Sequence, residues 1–215
     1  MKKLVVFDLD GTLLDTSEGI LFCYKKAAET VGLKEKTVNN RSIVIGGPLR
    51  DGFKTLYKVE TENQIDNAIT TYRKLYKDFG IKMFKPYENL ENMLKALKEK
   101  DCILAVATLK LEEYAIQMLS SIHADVYFDV IKGWDGGAVC SKADILNSVL
   151  KETKVNPNQA VLVGDSEYDC KGAEAIGIDF IGVSYGFGYK HDNTCNCGFP
   201  VAETTLKIVD VVSEM

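Results

Sequence analysis

Residues 4–14 read LVVFDLDGTLL, an apolar run that stops at two carboxylates. The segment Leu4–Phe7 shows none of the alternation of a half-exposed strand, so it predicts a strand buried on both faces of a parallel sheet. Asp8 and Asp10 follow this strand, and ligands bind at the carboxyl edge of open parallel sheets. Two carboxylates this close repel each other unless a cation or a proton lies between them, and Mg²⁺ is the predicted cation. Because Asp-Gly is a common turn pair, a simple turn at Asp10-Gly11 is the alternative interpretation.

Length and charge narrow the class of protein. The chain has 215 residues and a formal net charge of -5, which suits one domain with an insertion or two modest domains. The acidic balance argues against nucleic acid as the main partner, because phosphate backbones bind clustered Lys and Arg. The first apolar run breaks at Asp8, too early for a signal peptide, and no run has the length of a membrane span. We therefore expect a cytoplasmic protein with no membrane partner.

Six cysteines are scattered over different predicted elements, and we expect them to be reduced thiols. His191, Cys195 and Cys197 offer an alternative, since they are three possible ligands of a zinc ion. A fourth ligand is not evident, and the usual Cys-x-x-Cys spacing is absent. The role of this loop stays open at the level of the sequence.

Hydrophobic periodicity divides the chain into two kinds of segment. Residues 15–81 carry helical patterns over 16–31, 49–57 and 62–78 and contain no convincing strand. After them, apolar strands alternate with helices, the predicted strands being 103–107, 126–131, 160–164 and 180–183. This alternation predicts a single parallel sheet with right-handed crossovers. The expected fold is therefore an α/β, Rossmann-like doubly wound core formed by residues 1–14 and 82–215, with an inserted all-helical cap over 15–81.

Polar residues follow two further strands of the predicted sheet. Thr108 comes after the strand at 103–107, and Asp165 comes after the strand at 160–164. Lys142 begins a predicted helix near the same edge. Carboxylates that hold Mg²⁺, together with a lysine, a hydroxyl and backbone N–H groups, form a site for a phosphoryl group.

These residues resemble the four motifs of the haloacid dehalogenase superfamily of phosphohydrolases. The motifs are DLDGT at 8–12, Thr108, Lys142 and GDSEYD at 164–169. The segments GGPL at 46–49 and GVSYGFG at 182–188 are similar to those of phosphoglycolate-phosphatase-like proteins. The resemblance covers most of the core, in the expected order and on the expected elements.

The resemblance implies a role for each carboxylate. Asp8 would be the nucleophile that forms an aspartyl phosphate, and Asp10 would be the general acid and then the general base. Asp8, the backbone carbonyl of Asp10 and Asp165 would bind Mg²⁺. Asp169 would lie just outside these ligands.

The resemblance also implies how the phosphate is held. Thr108, the backbone N–H of Leu109 and Lys142 would bind it, and Lys142 would keep the nucleophile ionised. Gly11 would allow a tight turn, and Thr12 would order that loop. Close relatives have Ser or Asn where this chain has Leu109, so a polar substrate contact is lost and a strongly hydroxylated substrate is disfavoured.

Substrate specificity is expected to lie in the cap, whose closure would expel water. Arg50 is the first candidate for contacting an anionic substrate, followed by Arg41 and Lys54. The alternative is a solvated charge on a helix surface. No role is assigned to His123 or His191.

The predicted function is a Mg²⁺-dependent phosphatase acting on a small phosphate ester such as phosphoglycolate or a nucleoside monophosphate. Two alternatives stay open. The chain could be a phosphomutase related to β-phosphoglucomutase, although Leu109 and the lack of a cap His-Lys cluster disfavour it. It could also be a non-catalytic phosphate-binding relative, although the intact set of motif residues argues against that. Both a monomer and a homodimer are compatible with the sequence.

Overall fold

A computed structural model describes residues 2–137, 140–189 and 198–215, apart from the side chains of Arg41 and Ile43. In chain order the strands are β1 (Leu4–Phe7), β2 (Leu14–Asp15), β3 (Lys34–Glu35), β4 (Tyr57–Lys58), β5 (Lys85–Pro86), β6 (Ile103–Leu111), β7 (Val130–Trp134), β8 (Ala160–Gly164), β9 (Asp179–Val183) and β10 (Val201–Ala202). The helices are α1 (Ser17–Val31), α2 (Leu49–Leu56), α3 (Glu62–Asp78), α4 (Leu90–Lys98), α5 (Glu112–Ser121), α6 (Lys142–Thr153), α7 (Glu167–Ile176) and α8 (Thr205–Glu214).

Six of these strands form one sheet in the order β10-β9-β8-β1-β6-β7. Every neighbouring pair in it is parallel. The segment Leu4–Phe7 is at most 1% exposed, as its unbroken apolar run predicts for a central strand. The parallel sheet and its helices confirm the predicted α/β Rossmann-like fold.

The strand order reverses at β1. From β1 the chain continues to β6 and β7, which lie to one side of β1 in the sheet. It then continues to β8, β9 and β10, which lie to the other side of β1. In open α/β sheets the crevice at such a reversal, outside the carboxyl ends of the strands, is where ligands bind. Asp8 directly follows β1 and Asp165 directly follows β8, so both residues lie at this crevice.

The chain divides into two compact units, Met1–Leu14 with Pro86–Met215, and Asp15–Lys85. Within the second unit, rings on α1, α2 and α3 pack together. The Tyr24 ring centroid lies 4.8 Å from that of Phe53 and 4.9 Å from that of Tyr72. Such buried aromatic pairs stabilise a small helical core.

The second unit also contains an antiparallel pair, β3 with β4, which the expectation of an all-helical insertion did not include. Both strands are two residues long, and only Tyr57 among their residues is buried. Strands this short and exposed show no alternating apolar pattern, so they could not be predicted from the sequence.

Two element boundaries differ from the predicted ones. Strand β6 continues past residue 107 to Leu111, so Thr108 lies inside a strand and not after it. The segment predicted as a strand over 126–131 begins with a 3₁₀ turn at Asp125–Tyr127, and β7 follows it. Helix α4 begins after Asn89, whose φ of 59° is left-handed and cannot continue a helix. Among the described residues, no helix is both long and apolar enough to cross a lipid bilayer.

Candidate active site

Lys142 lies at the centre of a buried cluster of carboxylates. Ser141 caps the N-terminus of α6, so Lys142 is the first residue of that helix. Its Nζ donates to Asp8 Oδ1 at 2.6 Å and to the Ala107 carbonyl oxygen at 2.7 Å, and it lies 2.7 Å from Asp169 Oδ1. Lys142 therefore ties the start of α6 to the end of β1, to β6 and to the start of α7.

The position of Asp169 follows from helix capping. Ser166 caps α7, and Asp169 Oδ2 accepts hydrogen bonds from the Ser166 backbone N–H (3.1 Å) and hydroxyl (2.6 Å). This reciprocal arrangement is a capping box. It leaves Oδ1 of the same carboxylate for Lys142. A Cβ at Gly164 would lie 2.5 Å from the Cβ of Asp169, so only glycine fits at the end of β8.

Asp165 is held by two loops. Its Oδ2 accepts hydrogen bonds from the backbone N–H groups of Phe187 (2.6 Å) and Gly188 (3.3 Å). Gly11 has a φ of +83°, which favours glycine, and a Cβ there would lie 2.2 Å from Asp165 Oδ2. The glycine-rich segment at 182–188, noted in the sequence only as a resemblance, therefore has a physical role in fixing this carboxylate.

Burial dominates the electrostatics of these groups. It raises the pKa of Asp8 well above its usual value; Lys142 opposes this, while Asp169 and Asp165 add to it. Burial and the neighbouring Asp169 raise the pKa of Asp165 to about 7, against the two backbone N–H groups. Burial acts to lower the pKa of Lys142, but Asp169 and Asp8 outweigh it, so the pKa is raised and the ammonium stays protonated.

Asp8, Asp165 and Asp169 each offer a ligand oxygen, and these three oxygens lie within 4.8 Å of one another. Buried carboxylate oxygens suit a hard divalent cation such as Mg²⁺. Asp8 and Asp165 belong to the predicted ligand set. Asp169, predicted to lie outside the ligands, offers an oxygen within the same 4.8 Å of those of Asp8 and Asp165. The predicted contribution of the Asp10 backbone carbonyl stays a prediction.

The Asp10 side chain has a partner that the sequence reasoning missed. Lys110 Nζ lies 3.0 Å from Asp10 Oδ2, and both side chains are nearly buried. The other oxygen, Oδ1, is buried and has no hydrogen-bond partner among the residues that the structure describes. A signal for Lys110 did exist, because it is two residues beyond Thr108 and alternate residues of a strand share one face.

The remaining predicted core residues are brought to the same edge in different ways. Thr108 is buried, and its Oγ1 accepts a hydrogen bond from the Lys110 backbone N–H at 3.2 Å. The Leu109 side chain packs against the hydrophobic core. Thr12 is fully buried, yet its hydroxyl finds no partner within the described part of the chain. Its backbone carbonyl accepts a hydrogen bond from Tyr185 at 3.0 Å.

The candidate cap residues are engaged on the surface of the inserted unit. Arg50 forms ion pairs with Glu62 and Asp66 of α3, and Lys54 lies 3.3 Å from Glu62. These contacts agree with the interpretation of solvated surface charges, and substrate binding by Arg50 stays a prediction. The Arg41 side chain and the residues His191, Cys195 and Cys197 lie outside the described residues.

Both the sequence and the fold resemble those of known proteins. Residues 5–183 match the family model of the haloacid dehalogenase-like hydrolases. The tyrosine-protein kinase PtkA of Mycobacterium tuberculosis is 33% identical over 86% of this chain, which spans only 63% of that relative. The phosphoglycolate phosphatase of Aquifex aeolicus is 32% identical, with 81% of each chain covered. A haloacid dehalogenase-like hydrolase structure from Streptococcus pneumoniae superposes with a TM-score of 0.87 at 27% identity and covers 97% of both chains. As its motifs predict, the chain belongs to the haloacid dehalogenase-like hydrolase family.

Proposed function

We propose that the protein is a Mg²⁺-dependent phosphatase that hydrolyses a small phosphorylated metabolite through an aspartyl phosphate on Asp8. The observation that carries the proposal is the bond from Lys142 to Asp8, 2.6 Å long and buried at the reversal point of the sheet. Burial alone would leave Asp8 protonated and a poor nucleophile. The ammonium opposes this effect and favours the carboxylate.

The first half of the reaction transfers the phosphoryl group. A carboxylate oxygen of Asp8 forms a bond to phosphorus, and the bond between phosphorus and the ester oxygen breaks. The leaving oxygen takes a proton from the Asp10 carboxyl group, so that a neutral alcohol departs. Lys142 and the Thr108 region lie at the same edge and would neutralise the phosphate oxygens.

The second half restores the free carboxylate. Water attacks the phosphorus of the aspartyl phosphate, and Asp10, now ionised, takes the proton from that water. The bond between phosphorus and Asp8 breaks, which releases inorganic phosphate. The proton that Asp10 gave to the alcohol is thus replaced by one from water.

A divalent cation fits the oxygen donors of this site. Asp8, Asp165 and Asp169 would hold Mg²⁺. When bound, it supplies positive charge that offsets the charge of the phosphoryl oxygens and of the carboxylates themselves. Asp165 is already oriented for this by Phe187 and Gly188.

The names of two relatives support different acceptors for the phosphoryl group. The Aquifex aeolicus relative is a phosphoglycolate phosphatase, which favours water as acceptor and a small anionic ester as substrate. The Mycobacterium tuberculosis relative is named a tyrosine-protein kinase, which makes transfer to a tyrosine hydroxyl the second candidate. We favour hydrolysis because the phosphatase relative matches over most of both chains. We also infer that the protein acts in the cytoplasm.

The test is phosphate release from a panel of phosphate esters, with Mg²⁺ and with EDTA. Asp8→Asn should abolish release, since the amide is not a nucleophile. The matched control is Asp210→Asn, which changes an exposed aspartate paired with Lys207 and should leave release unchanged. Absence of release from every ester by the wild type would reject the proposal. Phosphotyrosine formed from ATP on a tyrosine copolymer would favour the second candidate, and an isomerised sugar phosphate would favour a phosphomutase.

A further inference from the structure

The site contains two lysines with largely buried side chains, and the two lysines contact different carboxylates. Lys142 contacts Asp8 and Asp169, whereas Lys110 contacts Asp10. Only 8% of the Lys110 side chain and 10% of the Asp10 side chain are exposed. Taking a charged pair out of water is costly, so a buried pair is weak evidence for a purely stabilising role. Its position beside the proposed general acid suggests a functional one.

The backbone of Lys110 is fixed by the extension of β6 along β7. Leu111 pairs with Trp134 beyond the register shift in these strands. At Gly133 the two strands approach so closely that an added Cβ would lie 2.6 Å from the Lys110 carbonyl oxygen. The Lys110 backbone N–H also donates to Thr108 Oγ1. Lys110 therefore lies in the register-shifted segment between two paired positions of β6 and β7, and its backbone N–H is held by Thr108.

The contact distinguishes the two oxygens of Asp10. A lysine ammonium can only donate hydrogen bonds, so Oδ2 must act as an acceptor towards Lys110. The contact therefore engages Oδ2 and leaves Oδ1 for proton exchange with the substrate. That oxygen is the one left buried without a partner among the described residues.

We propose that Lys110 is a positioning residue, which holds Asp10 through Oδ2 so that Oδ1 gives a proton to the leaving oxygen and later takes one from water. This inference rests on the proposed phosphatase function. Lys110 itself does not touch the reacting atoms in this scheme. Loss of the Lys110 side chain should therefore lower kcat/KM only for substrates whose leaving group has to be protonated.

Leaving groups of different basicity provide the test. For an alkyl phosphate, whose alkoxide cannot leave unprotonated, Lys110→Met should lower kcat/KM by about 100-fold or more, the usual contribution of general acid catalysis. For p-nitrophenyl phosphate, whose phenolate leaves without a proton, the loss should stay below about 10-fold. Lys110→Arg, which keeps a charged donor, should restore part of the difference. If Lys110→Met does not fold, kcat/KM for the same two substrates is measured with Lys110→Gln, which keeps a donor. The losses for the two substrates should then differ, but by less than is expected for Lys110→Met.

The matched control is Lys132→Met, which removes a lysine of the adjacent strand that pairs with Glu152 at the surface. It should change neither substrate's kcat/KM. Equal losses for both substrates in Lys110→Met, or no loss for either, would overturn the proposal. Crystal structures of the wild type and Lys110→Met supply a readout independent of turnover, and an Asp10 carboxyl group that keeps its position would also overturn it. A wild type inactive on every ester would instead reject the phosphatase function.

Discussion

Replacing Lys142 with methionine is the sharpest test of how the site is held together. The side chain keeps its length and loses its ammonium, which lies within 2.7 Å of Asp8, of Asp169 and of the Ala107 carbonyl oxygen. Three buried acceptors thereby lose their common donor. Asp8 and Asp169 would then be two carboxylates with no opposing charge between them.

The expected loss of stability can be estimated from the burial of these groups. Removing one partner from a buried ion pair costs about 3–5 kcal/mol. In a domain of this size that corresponds to a fall in Tm of roughly 6–20 °C. The loss should be largest near neutral pH. It should shrink towards acidic pH, because Asp8, whose pKa is raised by burial, takes up a proton there and no longer carries the charge that Lys142 offsets. Lys142 has a raised pKa, so its contribution in the wild type persists throughout this range and is lost only at strongly alkaline pH.

Urea denaturation of the metal-free protein at acidic and neutral pH measures this difference. Lys132→Met is again the control, since its ion pair with Glu152 is partly exposed and such pairs contribute less than about 1 kcal/mol. A Lys142→Met variant whose free energy of unfolding falls no more than that of the control would contradict this expectation. A loss that does not depend on pH would refute the electrostatic part of it.

Two further predictions concern the same cluster. Because burial raises the pKa of Asp165 to about 7, Mg²⁺ has to displace a proton from this carboxyl group below that pH. The increase in Tm that Mg²⁺ causes in differential scanning fluorimetry should therefore be larger at about pH 8 than at about pH 6. An equal or larger effect at the lower pH would contradict this. Gly172→Ala would place a Cβ 2.6 Å from Lys142 Cγ, so urea denaturation should show a loss of about 1–3 kcal/mol, and phosphate release should fall as Lys142 is displaced. A variant with wild-type stability and activity would show that the lysine has room to move.

The sequence allowed the core of the site to be predicted because its residues stand directly at the ends of apolar strands. Asp8 and Asp165 follow β1 and β8, and a parallel sheet brings such ends to one edge whatever separates them in the chain. Lys142 could be placed because it opens a helix at that edge. For these residues, local pattern and topology together determine the position.

Lys110 and the loop at 185–188 could not be assigned in the same way. Thr108, Leu109 and Lys110 look like the end of a strand, whereas β6 continues because Gly133 lets β7 approach it closely. Likewise, the hydrogen bonds from Phe187 and Gly188 join residues more than twenty positions from Asp165, and backbone donors leave no mark in the sequence. Specific pairings between distant segments depend on tertiary geometry that periodicity does not encode.

The charges of the described site favour the binding of a cation. Four carboxylates, those of Asp8, Asp10, Asp165 and Asp169, face two ammonium groups, those of Lys110 and Lys142. If all are ionised, two negative charges stay uncompensated in a buried volume, which is unfavourable. Without a metal, burial raises the pKa values of Asp8 and Asp165, which favours proton uptake by these carboxyl groups. A bound Mg²⁺ would carry the missing two positive charges and allow both carboxylates to ionise. If Asp8 is the nucleophile proposed above, a cation that completes the site would also favour its reactive, ionised form.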